Sequence, residues 1–221
     1  MPPRKTSLRP TLTRQTVVAK AISLADQSGI DALSMRQLAH ALGVEAMSLY
    51  NHITNKDELI DGMVDSVIGE IKPPRKDTDD WKAEMCARAH AAHQMLVRHT
   101  WAAQLIASRI NVGPNMLRYI DATVGCLLRA GFSVPLADHA WNAMDSHIYG
   151  FTMLQQNFPL EPSEYASAAA QFLPMIPEEL YPDMRMTAEE VISGRHSGIN
   201  EFGFGLELIL DGMERKLLAR Q

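Results

Sequence analysis

The chain has 221 residues, 46% of them apolar, which is enough to bury one large hydrophobic core or two smaller ones. Its formal net charge of −5 at pH 7 argues against a protein that binds nucleic acid over its whole surface. The two cysteines form no C-x-x-C pair, so neither a disulfide framework nor a cysteine zinc site is expected.

Charge is distributed unevenly along the sequence. Residues 1–56 contain seven Lys or Arg against three acids, a net charge of +4. The remainder contains fourteen Lys or Arg against twenty-three acids, a net charge of −9. A basic N-terminal unit followed by an acidic body favours an anionic partner for the first part only.

No membrane or export signal is recognisable. No window of 18 uninterrupted apolar residues occurs, and the basic N-terminus is not followed by an apolar segment. The sequence therefore predicts a cytoplasmic protein with no membrane partner.

Apolar residues recur at helical spacing almost throughout, and alternating β-branched runs are lacking, so an all-α fold is predicted. Residues 1–12 contain Pro and Arg and are predicted to be a mobile arm. A first helix is predicted over 13–28, ending at Gly29. A second starts at the Ser34-x-x-Gln37 capping box and stops at Gly43. A third covers 46–53, and a fourth opens at Asn55-x-x-Glu58.

The Pro-rich, charged stretch 72–80 is the predicted domain boundary. It separates an N-terminal unit, 1–71, from a larger helical body, 81–221. In the body we predict helices at about 80–99, 101–110, 114–130, 135–157, 163–173 and 197–219, with a short helix near 187–193. Residues 172–186 contain three prolines and are predicted to form a long connection.

The predicted helices over residues 35–53 have the arrangement of a helix-turn-helix, with Ala39 at the crossing and Gly43 in the turn. An outward polar face on so short a helix would find partners in the major groove of DNA. Lys56, in the first turn of the fourth helix, opposes the helix dipole and suits a DNA phosphate bound there. The predicted outward residues are Ala46, Met47, Ser48, Tyr50, Asn51 and His52. The alternative is a solvent-exposed helical hairpin.

The same segment carries a family resemblance. "SMRQLAHALGVEAMSLYNHITNKDELI" (34–60) resembles the DNA-binding unit of the tetracycline-repressor (TetR) family, and "NEFGFGLELILDGMERKL" (200–217) is similar to the last helix of tetracycline repressors themselves. The resemblance implies that Met35 and Arg36 also contact DNA. Tetracycline repressors have Gln-Pro where this chain has Ala46-Met47, and Trp where it has Asn51. The operator sequence therefore cannot be carried over.

A homodimer on a palindromic operator is expected, because one helix-turn-helix reads only a few base pairs. The last helix places apolar residues at three- and four-residue steps beside three glycines, and the predicted dimer residues are Phe202, Leu206, Ile209 and Met213. Tight packing within one chain is the alternative explanation of this pattern. The resemblance implies a four-helix interface that also uses the helix at 135–157.

The resemblance also implies a small-molecule effector site in the body. The candidate residues are aromatic, His, Met and Asp side chains: His90, His93, Trp101, Trp141, Met144, Asp145, His147 and Phe151. We expect no metal and no cofactor, because no acid lies at a helical step that matches His90 and His93. The predicted function is a ligand-responsive repressor. An activator or architectural DNA binder with the same N-terminal unit is the alternative, and an enzyme is remote because no catalytic motif is present.

Overall fold

The computed structural model describes residues 12–199 and 201–219. Over these residues the fold is all-α, as predicted, without strands. The predicted arm, 1–12, lies almost wholly outside the described residues. The helices are α1 (Arg14–Ser28), α2 (Met35–Leu42), α3 (Ala46–Leu49), α4 (Lys56–Ile68), α5 (Trp81–Arg98), α6 (Ala102–Ser108), α7 (Pro114–Arg129), α8 (Val134–Asn157), α9 (Tyr165–Phe172), α10 (Pro182–Ile192) and α11 (Phe202–Leu218), with 3-10 turns at Pro162–Glu164 and Leu173–Met175.

The start of α2 follows the predicted capping box. The Ser34 hydroxyl accepts the N–H of Gln37 at 3.2 Å, and the Gln37 side chain accepts the N–H of Ser34 at 3.1 Å. Gly43 then ends the helix with φ +68°, a left-handed conformation that glycine adopts without a Cβ clash. These local signals confirm the predicted position of the turn between α2 and α3.

The third helix is shorter than the predicted 46–53. Regular α-helix ends at Leu49, and residues 50–52 continue as turns. The N–H of Tyr50 donates to the carbonyl of Met47, and that of His52 donates to Leu49, three residues back in each case. The segment therefore tightens to i→i+3 bonds, a common ending for a short helix.

The predicted linker 72–80 is irregular but is held by ion pairs. Arg75 donates from its backbone N–H and its Nε to the Glu84 carboxylate, at 2.9 and 2.7 Å, and Lys76 pairs with Asp121.

In the body, α5 packs against α8, and α11 lies across both, forming the centre of the body. Helix α4 packs on α1 and also contacts α6 and α7, so it links the N-terminal helices to the body.

The region after α8 corrects two sequence predictions. The connection predicted over 172–186 contains a 3-10 turn and the start of α10, which is longer than the predicted 187–193. Pro182 stands in the first turn of α10, where proline costs no hydrogen bond, so it begins a helix rather than breaking one. The last helix begins at Phe202, five residues later than predicted.

Candidate nucleic-acid interface and effector region

The recognition segment, residues 46–52, is anchored from beneath by two apolar side chains. Leu49, within the segment, and Ile53, directly after it, are 0% and 1% exposed. Leu38 and Ala39 of α2 are buried in the same core. Since this segment is too short to be stable by itself, this packing sets the direction in which its other side chains point.

The opposite face presents the predicted DNA-reading residues to solvent. Met47 is 75% exposed and Tyr50 is 45% exposed; Asn51 is exposed, while Ala46, Ser48 and His52 are half-buried. Within the described residues, the side chains of Ser48, Tyr50, Asn51 and His52 make no hydrogen bond. These polar groups are therefore free to bind an external partner.

Two exposed cations belong to the helices before and after the recognition segment. Arg36 lies in the first turn of α2 and Lys56 in the first turn of α4, and neither forms an ion pair with another described residue. Met35, beside Arg36, is half-buried and packs against the core. Among the other Lys and Arg of the described residues, nine pair with carboxylates: Arg14, Arg75, Lys76, Lys82, Arg88, Arg98, Arg109, Arg185 and Arg195.

A glutamate network fixes the junction between the recognition segment and α4. The Asn55 side chain accepts the N–H of Glu58 at 2.8 Å, which caps α4 as predicted. The Glu58 carboxylate accepts the N–H of Thr54 at 2.7 Å and the Nε–H of Arg14 at 3.3 Å. The Thr54 hydrogen bonds, followed by Arg14, hold the pKa of Glu58 below its ordinary value.

In the body, four predicted effector residues form one aromatic cluster with Phe202. The His93 ring stacks on the Phe202 ring at a centroid distance of 4.3 Å, and the His147 ring stacks on it at 5.0 Å. Phe151 and His90 meet Phe202 edge-on at 5.4 and 5.2 Å. His90 also lines an open groove of about 600 Å³ between α5 and α11.

The surroundings of His93 favour the neutral form of its ring. Burial lowers the pKa of His93, and His90 and His147 lower it further. The Thr152 hydroxyl donates to the carbonyl of Ile148, so it can only accept from His93 Nδ1, which lies at 2.8 Å. The Nδ1 atom of His93 therefore carries the proton.

A second cluster surrounds Arg88, which sequence reasoning missed. The Arg88 side chain is fully buried on α5, and its Nη2 donates to Asp145 Oδ1 on α8. Asp145 Oδ2 also accepts from Trp141 Nε1 at 2.7 Å and, at 3.4 Å, from the Tyr149 hydroxyl. The Tyr119 ring of α7 lies against the guanidinium, 4.7 Å from its central carbon. Two predicted effector residues, Trp141 and Asp145, thus belong to this cluster.

The remaining two predicted effector residues lie elsewhere. Met144 is fully buried in the core, with 0% exposure. Trp101 is buried where the body meets α1, and its Nε1–H donates to Asp26 at 2.7 Å. His99 Nδ1 is 2.8 Å from the same Asp26 oxygen, and its Nε2 is 3.2 Å from Glu70. The structure therefore divides the eight residues among separate groups, and a common effector pocket for them stays a prediction.

Comparison with known proteins covers nearly the whole chain. Residues 17–63 match the family model "Bacterial regulatory proteins, tetR family", and residues 73–217 match "Tetracyclin repressor-like, C-terminal domain". The chain belongs to the TetR family. The expected family and the all-α fold with an N-terminal helix-turn-helix are thereby confirmed.

Individual relatives agree with this assignment. The HTH-type transcriptional repressor DrrR1 of Streptomyces coeruleorubidus is 31% identical over 96% of this chain and 81% of its own length. An HTH-type transcriptional regulator of Saccharopolyspora erythraea is 33% identical over 67% of this chain, a match that spans 63% of the relative. The crystal structure of apo ActR from Streptomyces coelicolor has a TM-score of 0.82 at 25% identity, covering 95% of this chain and 98% of that one.

As a TetR-family member, this protein is a DNA-binding transcriptional regulator and not an enzyme. Among the described helices, none is both long and apolar enough to cross a membrane. Across residues 12–199 and 201–219, no group of three His, Cys, Asp or Glu side chains is arranged to hold a metal ion.

Three of the residues predicted for dimer contact are buried within their own chain. Phe202, Leu206 and Met213 are at most 8% exposed, and Ile209 is half-buried against the same core. The face of α11 that remains open instead carries Phe204 and Leu208, 65% and 56% exposed. The apolar residues of α11 therefore recur at the predicted helical spacing. The face that they form packs on α5 and α8 of the same chain.

The residues that sequence reasoning missed are Arg88, Tyr119 and Tyr149. Arg88 follows Met85 by three residues and precedes Ala92 by four, so it occupies the apolar face of α5. A charged residue on the buried stripe of a helix is a signal that periodicity could have supplied. Tyr119 and Tyr149 carried no such signal, because aromatic residues on buried helix faces are ordinary core.

Proposed function

We propose that this protein is a homodimeric repressor that binds a palindromic operator and releases it when a small molecule occupies the body. Residues 1–71 would contact DNA, 72–80 would join the two units, and 81–221 would bind the effector and a second copy of the chain. The predicted DNA contacts are Met35, Arg36, Ala46, Met47, Ser48, Tyr50, Asn51, His52 and Lys56.

The observation that carries this proposal is the unsatisfied polar face of the recognition segment. Its serine, tyrosine, asparagine and histidine have no hydrogen-bond partner among the described residues, although the backbone beneath them is anchored by Leu49 and Ile53. Side-chain hydroxyl and amide groups can reach base edges and phosphate oxygens, and exposed Met47 can contact a thymine methyl. Arg36 and Lys56 at the edges suit backbone phosphates.

Relatives support the repressor and effector parts of the proposal. DrrR1 is named a transcriptional repressor. ActR has been crystallised in complex with actinorhodin, and that structure has a TM-score of 0.80 and 26% identity to this chain over 93% of it. We infer that the body of this chain also accepts a small organic molecule.

The open faces of α8 and α11 are the proposed dimer surface. Phe204, Leu208 and Gly212 repeat every four residues on α11, while Gly150 and Leu154, 73% exposed, lie four residues apart on α8. A Cβ added at Gly150 or Gly212 would meet nothing within 4 Å, so a second pair of helices could approach closely there. Obligate interfaces of this kind bury roughly 2,000 Å² or more.

Release requires that the effector favour the form of the dimer that cannot bind DNA. Helix α4 is the proposed coupling element, because its first turn supports the recognition segment and it packs on α6 and α7 of the body. Arg109, in the loop after α6, pairs with Asp57 at 3.3 Å and Asp61 at 2.8 Å on α4. A shift of α6 would therefore be transmitted to the DNA-reading end.

The test is an operator mobility-shift titration with DNA from the region upstream of the neighbouring genes. Tyr50→Ala and Lys56→Ala should each weaken binding about tenfold, and Lys56→Ala should also reduce the slope of log K against log salt by about one. Tyr181→Ala and Lys216→Ala are matched controls, since both residues are exposed and lie far along the chain from the recognition segment. Parent-like binding by the first pair, or salt-independent binding, would contradict the proposal.

A further inference from the structure

Arg88 is a buried cation whose hydrogen-bonding capacity is only partly used. The residue is 1% exposed, and Nη2 alone has a partner, the Asp145 carboxylate. Its Nε and Nη1 atoms have no hydrogen-bond partner among the described residues. A guanidinium carries five N–H donors, and leaving buried donors unpaired is costly.

The Tyr119 hydroxyl is a second buried donor whose hydrogen-bonding capacity is unused. Tyr119 is 3% exposed, and its hydroxyl oxygen is buried without a hydrogen-bond partner in the described chain. Burial raises the pKa of Tyr119 well above its ordinary value, so the hydroxyl is protonated and available as a donor. The ring of Tyr119 lies against the Arg88 guanidinium, so the two residues that carry unpaired donors are in contact.

Charge balance indicates what kind of acceptor would satisfy them. Asp145 already neutralises Arg88 and is itself held by Trp141 and Tyr149. An anionic ligand would leave a net negative charge in a desolvated site, which is strongly unfavourable. A neutral carbonyl oxygen accepts the same N–H and O–H groups without that penalty.

The surroundings favour an aromatic molecule. Tyr119, Trp141 and Tyr149 border the guanidinium and its carboxylate, and offset or edge-on contacts with such rings stabilise a planar ligand. Trp141, Asp145 and Tyr149 are only partly buried, so the cluster reaches the surface on the α8 side. A ligand could therefore reach the buried donors from that side.

We propose that Arg88 and Tyr119 are the recognition groups of the effector site, and that the effector is an uncharged aromatic ketone whose carbonyl oxygen accepts their hydrogen bonds. This inference rests on the proposed ligand-responsive function and specifies the chemistry of its site. The sequence prediction included Trp141 and Asp145 of this cluster but neither Arg88 nor Tyr119.

The first test is calorimetric titration of the full-length protein, without DNA, using three matched probes: 9-fluorenone, fluorene and fluorene-9-carboxylate. The ketone should bind at least about tenfold more tightly than the hydrocarbon, the gain expected when a hydrogen bond to a buried charged donor is formed. The carboxylate should bind more weakly than the ketone. Equal affinity for ketone and hydrocarbon, tighter binding of the carboxylate, or no binding of the ketone would overturn the proposal.

Variants separate recognition from a structural role. Tyr119→Phe removes a hydroxyl without a partner, so the fold should be at least as stable, while affinity for 9-fluorenone should fall about tenfold and that for fluorene should not change. Arg88→Lys retains a cation for Asp145 but loses the Nε–H, and it should reduce the preference for ketone over hydrocarbon. Tyr165→Phe on α9 is the control. An unchanged ketone affinity in Tyr119→Phe would overturn the assignment.

The proposed function is tested separately by the operator titration of the unliganded protein. If the operator is not bound but the ketone preference follows Arg88 and Tyr119, the repressor proposal fails and the site assignment stands. If the operator is bound and the ketone preference is absent, the site assignment fails and the repressor proposal stands.

Discussion

The carboxylate of Asp65 on α4 accepts the backbone N–H of Met116 at 3.0 Å and so caps the N-terminus of α7. The same oxygen accepts the N–H of Asn115 at 3.0 Å, and the Asn115 side chain donates to the Asp65 carbonyl at 3.1 Å. A Cβ at Gly113 would lie only 2.2 Å from this oxygen. One side chain of the N-terminal unit therefore supplies the cap that α7 of the body lacks in its own sequence.

Asp65→Ala should lower the free energy of unfolding by about 1–2 kcal/mol, the usual loss for an N-cap. Gly113→Ala should have a similar effect, since its methyl group would displace the carboxylate. Urea denaturation of both single variants and the double variant measures this. The double variant should lose less than the sum of the two single losses. Strictly additive losses would show that Gly113 acts independently of Asp65.

Asp26 is the acceptor shared by His99 and Trp101, and it connects α1 to the body. Asp26→Ala should destabilise the protein by about 1 kcal/mol, because the buried indole N–H of Trp101 loses its acceptor. The loss is not larger because Asp26 is partly exposed, so water can take the place of its carboxylate. Trp101 emission should change with it. Asp31→Ala, an exposed residue after α1, is the control and should unfold at the parental urea concentration.

Glu58 predicts a pH-dependent contribution to stability. Because its folded pKa lies below its ordinary value of 4.5, its contribution is fully present above that pH and is lost as the pH falls through the lowered folded value. Glu58→Gln should therefore be less stable than the parent from pH 6 to 8, and the two should converge under acid conditions. Thermal unfolding of both proteins, from pH 8 down into acid conditions, measures the difference in their stability. A gap that widens at low pH would refute the sign of the shift.

The dimer surface can be tested at Leu208. Leu208→Glu places a charge on the exposed stripe of α11 and should shift sedimentation from dimer to monomer at micromolar concentration. Leu117→Glu on α7 is matched in residue type and exposure, 53% against 56%, and should leave the dimer intact. Dissociation caused by Leu117→Glu alone would place the interface on another face.

Local sequence signals predicted the N-terminal unit closely. Capping residues such as Ser34 and Asn55, and glycines such as Gly43, act through backbone hydrogen bonds within a few positions, so their effect is readable from spacing alone. The same reasoning placed the third helix correctly and overestimated its length. It failed at Pro182, because a proline that breaks one helix can begin the next.

Local sequence signals could not predict which partner each side chain of the body packs against. Periodicity identified the buried face of α11 but could not say whether that face packs against its own chain or a second copy, because both bury apolar area equally well. Likewise, Trp101 and Trp141 looked equivalent as candidates, yet one meets Asp26 near α1 and the other meets Asp145 in the body.

The sequence by itself determined the helical fold, the position of the helix-turn-helix and the family, since these depend on local periodicity, capping and a contiguous motif. Only the tertiary structure decided that Arg88 is buried, that Asp65 caps a helix about fifty residues away, and that Phe204 and Leu208 rather than Phe202 and Leu206 remain exposed. These relationships join residues distant in sequence, and the packing of whole helices fixes them.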